Sequence, residues 1–219
     1  MKVFEDRRDA GRQLAALLAK DQTLADGRRL VVLAIPRGGL PVGAEVARVL
    51  GAAFDVVVVR KLRTPQNPEL GFGALGSDGH VEVDEAMVSR LGLTEEDVRA
   101  EIEDRQRVIA SRLALFRSVV PPVDLSDASV IVVDDGIATG GTAREACNLA
   151  RREGATRVVL AVPVAPPRAA DELTGAADRI LVLSEPAEFL AVGQAYKEFG
   201  QLDDEASLEV LREFRDEAE

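Results

Sequence analysis

The chain is poor in the residues that most often carry redox, metal or hydrolytic chemistry. Its 219 residues include one cysteine, one histidine and no tryptophan. A single cysteine excludes an intramolecular disulfide, which predicts a reducing, cytoplasmic compartment. The single histidine, His80, has no second His or Cys at ligand spacing. That isolation disfavours a His-based metal centre and a Ser-His-Asp or Cys-His nucleophile.

Positive charge and long apolar runs are also scarce. Lys and Arg number 27 against 38 Asp and Glu, for a net charge of -11, which disfavours a nucleic-acid surface because such surfaces neutralise phosphates. No apolar run approaches the ~18 residues of a membrane span, and no signal peptide is expected before Glu5-Asp6-Arg7-Arg8. With 47% hydrophobic residues and no linker or repeat, residues 1–219 are predicted to form one globular domain.

The most informative segment has the sequence Val-Ile-Val-Val-Asp-Asp-Gly-Ile-Ala-Thr-Gly-Gly-Thr and runs from Val130 to Thr142. Its apolar, β-branched run predicts a buried parallel strand, and open α/β sheets bind ligands at the carboxyl ends of such strands. The turn that follows opens a helix and offers backbone N–H groups and threonine hydroxyls, which favour a phosphate dianion. The turn residues predicted to bind this phosphate are Gly136, Ala138, Thr139, Gly140, Gly141 and Thr142.

The two carboxylates between strand and turn predict a second part of the ligand. Asp134 and Asp135 match vicinal hydroxyls and a hydrated divalent cation better than they match a phosphate. The expected ligand therefore combines a phosphate, a diol and Mg²⁺. We expect both carboxylates to lie on a solvent-facing turn rather than in the core.

Two other phosphate motifs fit this segment poorly. A nucleotide P-loop needs a lysine directly after its second glycine, but Thr142 follows Gly141. A dinucleotide fingerprint needs its glycines before the carboxylate. An acidic strand end with an ordinary glycine turn is the alternative that carries no function.

The segment instead resembles the phosphoribosyl-diphosphate (PRPP) motif of type I phosphoribosyltransferases, which is an apolar strand, two acids and a loop ending Thr-Gly-Gly-Thr. The resemblance implies an α/β fold with a doubly wound, mostly parallel five-stranded sheet. It also implies a helical and hairpin insertion at about 78–120, a small C-terminal hood at about 184–200, and Mg²⁺ as the cofactor. PRPP and pyrophosphate are then the implied ligands.

A second loop, at the end of the first core strand, agrees with this interpretation. In Ala34-Ile35-Pro36-Arg37-Gly38-Gly39, Arg37 offers a planar set of donors, and Gly38 and Gly39 allow a close backbone approach, which together suit a diphosphate. In the family that the chain resembles, this loop binds pyrophosphate and often contains a non-proline cis peptide, for which Arg37-Gly38 is the candidate bond. An ordinary turn with a solvated arginine is the alternative.

A basic group follows the next strand. Arg60, Lys61 and Arg63 could neutralise a leaving pyrophosphate, and Lys61 is the preferred ligand; a solvated surface cluster is the alternative. In the family that the chain resembles, the loop after this strand is a mobile lid. The Pro- and Gly-rich segment from Thr64 to Gly76 corresponds to that lid.

Hydrophobic periodicity predicts the remaining elements. Asp78-Gly79 indicates a hairpin turn, and Thr94 with Asp97 a capping box. The predicted helices are Arg7 to Lys20, Pro41 to Leu50, two segments within Asp84 to Phe116, one ending at Glu153, Arg168 to Leu173, and an acidic one from Asp203 with Leu208, Leu211 and Phe214 inward. The predicted strands are Leu30 to Ile35, Asp55 to Val59, His80 to Val83, the motif strand, Arg157 to Val162 and Arg179 to Leu183.

The C-terminal segment is the candidate for contact with an acceptor base. It resembles the hood of purine-salvage phosphoribosyltransferases, in which a Pro-x-x-Phe segment covers the base, and Phe189 fits that position; packing a C-terminal cap onto the core is the alternative. Those enzymes read a 6-oxo group with a lysine after the strand that matches Val158 to Val162, whereas here the chain runs Pro163-Val164-Ala165-Pro166. The acceptor base therefore remains open.

The leading hypothesis is a Mg²⁺-dependent transferase that moves 5-phosphoribosyl from PRPP to a nitrogenous base or related nucleophile and releases pyrophosphate. Asp134, Asp135, Lys61 and Arg37 are the candidate catalytic residues. The alternative is a regulator on the same fold that senses PRPP or a nucleotide without turnover. The helices at Asp84 to Phe116 also leave open an interaction arm and a homodimer.

Overall fold

The computed structural model describes residues 2–24, 27–65, 67 and 70–218. Its strands are β1 (Leu30–Ala34), β2 (Ala53–Val56), β3 (Val59–Arg63), β4 (Gly71–Gly76), β5 (Val81–Val83), β6 (Ser129–Val133), β7 (Arg157–Val164) and β8 (Arg179–Ser184). Its α-helices are α1 (Arg7–Leu18), α2 (Gly39–Leu50), α3 (Glu85–Leu91), α4 (Glu95–Arg117), α5 (Gly141–Arg152), α6 (Ala169–Glu172) and α7 (Asp204–Ala218). Most predicted helices and core strands are confirmed to within a few residues.

The core is a five-stranded sheet in the order β2-β1-β6-β7-β8, and all neighbouring strands are parallel. β6 is buried at every position and β7 at all but its first, because helices cover both faces of such a sheet and its strands become continuous runs of Val, Leu and Ile. The predicted fold class is confirmed. Since Ala34 of β1 pairs with Val133 of β6, the loops that follow these strands emerge side by side at one sheet edge.

A second sheet is antiparallel, has the order β3-β4-β5, and was only partly predicted. The strand expected from Asp55 to Val59 ends at Val56, and Val59 begins β3. The expectation of a loop is wrong for Gly71 to Gly76, which form β4 and pair with β3, and closure of this segment over a ligand stays a prediction. The lid prediction for residues 66, 68 and 69 lies outside the described residues. The hairpin at Asp78-Gly79 is confirmed, with Gly79 at a φ of 82°.

Helix α4 covers the hairpin sheet and is anchored at both ends. Thr94 and Asp97 form the predicted capping box, and Ile109 and Phe116 are buried. At the other end, Arg117 forms two hydrogen bonds to the buried carboxylate of Asp55 in β2. A buried carboxylate with a bidentate arginine fixes the helix to the parallel sheet, because breaking such a pair leaves an unpaired charge in the core.

The C-terminal helix packs on the same side of the parallel sheet as α2. Leu208 and Leu211 are buried, and the Phe214 ring lies 4.9 Å from that of Phe54, as the inward stripe predicted. In the part of the chain that is described, no helix is both long and apolar enough to cross a membrane.

Candidate functional site

The acid pair lies at the carboxyl end of β6, at the sheet edge where the β1 and β6 loops meet. The Asp135 backbone N–H donates to Asp134 Oδ1 over 2.8 Å. Burial raises the pKa of Asp134 well above its usual range, and the adjacent Asp135 charge raises it further. Burial also raises the pKa of Asp135, against the opposing effect of Arg7. The expectation of a solvent-facing turn is therefore wrong, because both aspartates are partly buried at the end of the strand.

Arg7 of α1 completes this acid pair and was not predicted as a site residue. Its Nε donates to Asp135 Oδ2 over 2.8 Å, and its Nη1 donates to the Gly200 carbonyl over 2.9 Å. The guanidinium lies over the Phe199 ring, 3.9 Å from the ring centre. The sequence shows Arg7 only as the first residue of an amphipathic helix, because a contact between residues so far apart leaves no local pattern.

The hood reaches the acid pair through a second residue, Tyr196. Its hydroxyl donates to the Asp135 carbonyl over 2.5 Å, and its ring stacks on Phe199 with 5.0 Å between centroids. Gly136 allows the hood to come this close, since a Cβ there would lie 2.6 Å from a Val192 methyl group. The hood and the acidic loop therefore form one packed unit.

The predicted phosphate loop leads from the acid pair into α5. Gly140 has a φ of 76°, a left-handed conformation that glycine adopts readily, and α5 begins at the next residue. Thr139, Gly141 and Thr142 are exposed, so their backbone and hydroxyl groups are accessible to a ligand at the helix N-terminus. A cavity of about 160 Å³ lies here and is lined by Asp134, Gly136, Ile137, Ala138, Thr139, Gly140, Thr142 and Ala143.

The loop after β1 packs directly on the acidic loop. A Cβ on Gly38 would lie 2.0 Å from Asp135 Oδ2, and one on Gly39 would lie 2.7 Å from the Val133 carbonyl oxygen. Only glycine fits at this approach, so the two predicted loops share one crevice. The cis peptide joins Pro36 and Arg37, not Arg37 and Gly38 as expected. The family pattern placed the bond in the right loop but one residue too late.

Arg37 and Lys61, the two residues predicted to bind the leaving pyrophosphate, have different neighbours in the structure. Arg37 Nη1 lies 3.5 Å from Asp204 Oδ1 at the start of α7. Lys61 lines a cleft of about 500 Å³ together with Thr139 and Thr142 of the phosphate loop. Gly71 leaves room for the Lys61 stem, because a Cβ there would lie 2.2 Å from Lys61 Cε. Lys61 thus faces the phosphate loop, whereas Arg37 is held toward α7.

Phe189 is half-buried and packs against the small cluster that includes Phe4, Val164 and Tyr196. It also lines a hood cavity of about 640 Å³ with Pro186, Ala187, Glu188, Leu190 and Gln194. Both interpretations of this residue are compatible with that placement, and its use as a base stacker stays a prediction.

Asp134 and Asp135 are the two residues that could hold the Mg²⁺ ion implied by the family resemblance. Within the described ranges, no cluster of three or more His, Cys, Asp or Glu side chains could hold a metal ion. Mg²⁺ usually keeps several waters and is bound through one or two carboxylates together with substrate phosphates. Asp134 and Asp135 supply such a pair, with Arg7 already on one oxygen of Asp135.

The chain resembles known proteins in both sequence and fold. A family model described as a phosphoribosyl transferase domain matches residues 4–189. Two sequences from strains of Mycobacterium tuberculosis, CDC 1551 / Oshkosh and H37Rv, named provisionally as phosphoribosyl transferases, are each 45% identical over the whole chain. The chain spans 49% of the length of these relatives. The crystal structure of TT1426 from Thermus thermophilus is similar with a TM-score of 0.81 and 39% identity, covering 98% of this chain and 99% of that one.

Proposed function

Since the chain belongs to the phosphoribosyl transferase domain family, we propose that it transfers 5-phosphoribosyl from PRPP to a nitrogen of a base or related nucleophile and releases pyrophosphate. The observation that carries this proposal is the contact between Gly38 and the Asp135 carboxylate. It joins a loop suited to a diphosphate with a loop suited to a diol and a phosphate. PRPP carries these three groups on one sugar.

Each loop has a separate task in this reaction. The turn from Gly136 to Thr142 binds the 5′-phosphate through backbone N–H groups at the start of α5. Asp134 and Asp135 accept hydrogen bonds from the ribose hydroxyls. The bond between C1′ and the pyrophosphate oxygen breaks, the acceptor nitrogen bonds to C1′, and the charge that develops on pyrophosphate is stabilised by Lys61 and Arg37. Catalysis is then positioning and electrostatics, without a protein nucleophile.

Mg²⁺ is part of the proposal, with Asp134 and Asp135 as its protein ligands. When bound, the ion supplies positive charge beside the leaving pyrophosphate. The two adjacent carboxylates repel each other, and a cation held between them would relieve that repulsion. We propose a cytoplasmic location for this reaction. The single cysteine agrees with that location, because disulfides are rare in the reducing cytoplasm.

The residues after β7 and in the hood do not specify a particular acceptor base. β7 continues to Val164 and is followed by Ala165 and Pro166, so the lysine that reads a 6-oxo group in purine-salvage enzymes has no counterpart here. Phe189 offers an aromatic face without a fixed hydrogen-bonding pattern. A planar nitrogenous acceptor is therefore proposed without a particular base.

The test is incubation of the purified chain with PRPP, Mg²⁺ and a panel of purine, pyrimidine and pyridine bases, followed by detection of pyrophosphate. The matched control is the double variant Asp134→Asn with Asp135→Asn, which should neither bind PRPP nor release pyrophosphate. Release by the wild type with at least one base supports the transferase. Tight PRPP binding without release for any base would replace it with the regulatory alternative.

A further inference from the structure

The hairpin sheet, β3-β4-β5, is separate from the parallel sheet, so its position relative to the phosphate loop depends on side-chain contacts. Val59 of β3 lies opposite Gly76 of β4, and a Cβ on Gly76 would lie 3.1 Å from Glu145 Oε1 of α5. Alternate residues of a strand share one face of a sheet. Lys61 therefore lies on the same face as Val59, which is the face that packs on α5.

Glu145 is a buried carboxylate that the proposed reaction does not use. Its side chain is 1% exposed and lies one turn after the start of α5, close to the phosphate loop. Oε1 accepts from Arg152 Nη2 over 2.6 Å, whereas Oε2 has no hydrogen-bond partner among the described residues. Burial raises the pKa of this carboxyl, against the opposing effect of Arg152. A buried carboxylate with one unpaired oxygen costs stability, so the role of Glu145 lies in the arginine that it orients.

Arg152 joins α5 to the turn of the hairpin. Its Nε donates to Asp78 Oδ2 over 2.6 Å while its Nη2 holds Glu145. Asp78 also accepts from the His80 backbone N–H over 3.1 Å, so the bridge ends in a turn of fixed geometry. Because a guanidinium is planar and its donors have fixed directions, a contact with two carboxylates fixes both the distance and the angle between the hairpin and α5.

The bridge closes one end of the cleft that contains Lys61. The cleft is lined on the hairpin side by Lys61, Ala74 and Glu82, and on the side of α5 by Thr142 and Arg144. Farther along α5 the two walls are in contact, since a Cβ on Gly76 would lie 3.0 Å from Leu149 Cδ1. A shift of the hairpin on α5 would therefore change the distance between Lys61 and the phosphate loop.

We propose that Arg152, oriented by Glu145, is a positioning residue that holds Lys61 in place beside the phosphate loop. Its bridge to Asp78 fixes the hairpin sheet on α5, and that sheet carries Lys61, which pairs with Ala74. The inference rests on the proposed function, in which Lys61 stabilises the leaving pyrophosphate. A misplacement of ~1 Å in an active site can cost ~10²-fold in rate, so a contact away from the reacting atoms can control turnover.

The bridge is best cut from its hairpin end. Asp78→Ala removes the link but leaves Glu145 paired with Arg152, so no buried carboxylate loses its partner. Arg152→Lys keeps the charge but loses the planar donors. Both variants should lower kcat for pyrophosphate release by about tenfold, with a smaller change in KM for PRPP. Arg151→Gln is the matched control and should keep the wild-type kcat, because Arg151 of α5 pairs with Asp178 just before β8 and not with the hairpin. Circular dichroism checks that each variant is folded.

A double-mutant cycle with Lys61 separates positioning from a general loss of stability. If Arg152 acts through Lys61, Asp78→Ala should lower kcat by less than about twofold when Lys61→Ala is already present. Losses that multiply in the double variant, or an unchanged kcat in Asp78→Ala and Arg152→Lys, would overturn the proposal.

Amide exchange tests the bridge without a ligand. Residues 71–84 should exchange faster in Asp78→Ala than in the wild type or in Arg151→Gln, because the hairpin has lost its link to α5. Equal exchange in the three proteins would also overturn the proposal. A wild type that releases no pyrophosphate with any base would count against the transferase, whereas the exchange result does not depend on turnover.

Discussion

Arg7 Nε donates a hydrogen bond to Asp135 Oδ2 over 2.8 Å, which joins the first helix to the acidic loop at the end of β6. Both side chains are largely buried, with 12% and 14% of their surfaces exposed. The same guanidinium stacks on Phe199 and binds the Gly200 carbonyl, so one residue holds the acidic loop and the hood together. It also balances part of the charge of the two adjacent carboxylates. Arg7 is therefore a positioning residue for Asp135.

Replacing Arg7 should weaken PRPP binding. Arg7→Gln removes a charge-assisted hydrogen bond worth ~1.5–3 kcal/mol, so we expect PRPP affinity to fall by about tenfold or more. Arg7→Lys keeps the charge but loses the planar donors and the stacking, and should be intermediate. Calorimetric titration with PRPP and Mg²⁺ measures both. Arg12→Gln, on an exposed part of the same helix, is the control; equal affinities in all four proteins would remove Arg7 from the site.

Adding one methyl group at Gly38 should separate the two ligand loops. A Cβ there would lie 2.0 Å from Asp135 Oδ2, so Gly38→Ala must displace either the carboxylate or the loop after β1. PRPP binding should be largely lost, with a smaller effect on the melting temperature. Gly200→Ala is the control, because a Cβ at Gly200 meets no atom within 4 Å. A Gly38→Ala variant that binds PRPP like the wild type would contradict the shared crevice.

Lys61 should matter more for turnover than for binding. Its positive charge is proposed to stabilise pyrophosphate as it leaves, so Lys61→Ala should lower kcat by ~10²-fold, the usual effect of losing one preorganised electrostatic donor. PRPP affinity should change less. Arg90→Ala, an exposed arginine on α3, serves as the control. An equal loss in affinity and kcat would make Lys61 a ground-state ligand only.

The thiol of Cys147 should be unreactive in the folded protein. The side chain is completely buried in α5, and burial raises its pKa to about 12. Alkylation at pH 8.5, near the ordinary thiol pKa of ~8.5, should therefore be slow without denaturant and fast in its presence. Because the thiol stays protonated well above that pH, raising the pH to about 10 should accelerate the reaction little while the fold persists. Rapid labelling of the native chain would contradict this burial.

The two candidate ligand loops were predictable because their sequence signals are local. The strand-turn-helix from Val130 to Thr142 and the loop from Pro36 to Gly39 each lie within a few consecutive residues, where strand preference, glycine conformations and helix N-termini set the backbone. Parallel pairing of β1 and β6 then brings both loops to one edge, as expected for the carboxyl ends of neighbouring parallel strands. The alternation of predicted strands and helices agreed with the fold class that the family resemblance implied.

Residue composition gave a wrong prediction for the segment from Thr64 to Gly76. The Pro- and Gly-rich stretch from Thr64 to Gly76 has the composition of a loop, yet Gly71 to Gly76 form a strand. A Cβ on Gly73 would lie 2.1 Å from the Glu82 carbonyl oxygen of β5, so only glycine allows this close pairing. A glycine that indicates a turn in isolation here permits a close approach between strands.

The two candidate ligand loops, the parallel sheet that carries them and the acid pair between them could be predicted, since each depends on neighbours along the chain. The contacts that distant side chains make with these loops came only from the folded chain: Arg7 on Asp135, Tyr196 on the Asp135 carbonyl, and Asp204 between Arg37 and Arg112. Such contacts depend on how α1, the hood and α7 pack against the sheet. That packing is set by the burial of whole helix faces, and it leaves no mark on the few residues that finally meet.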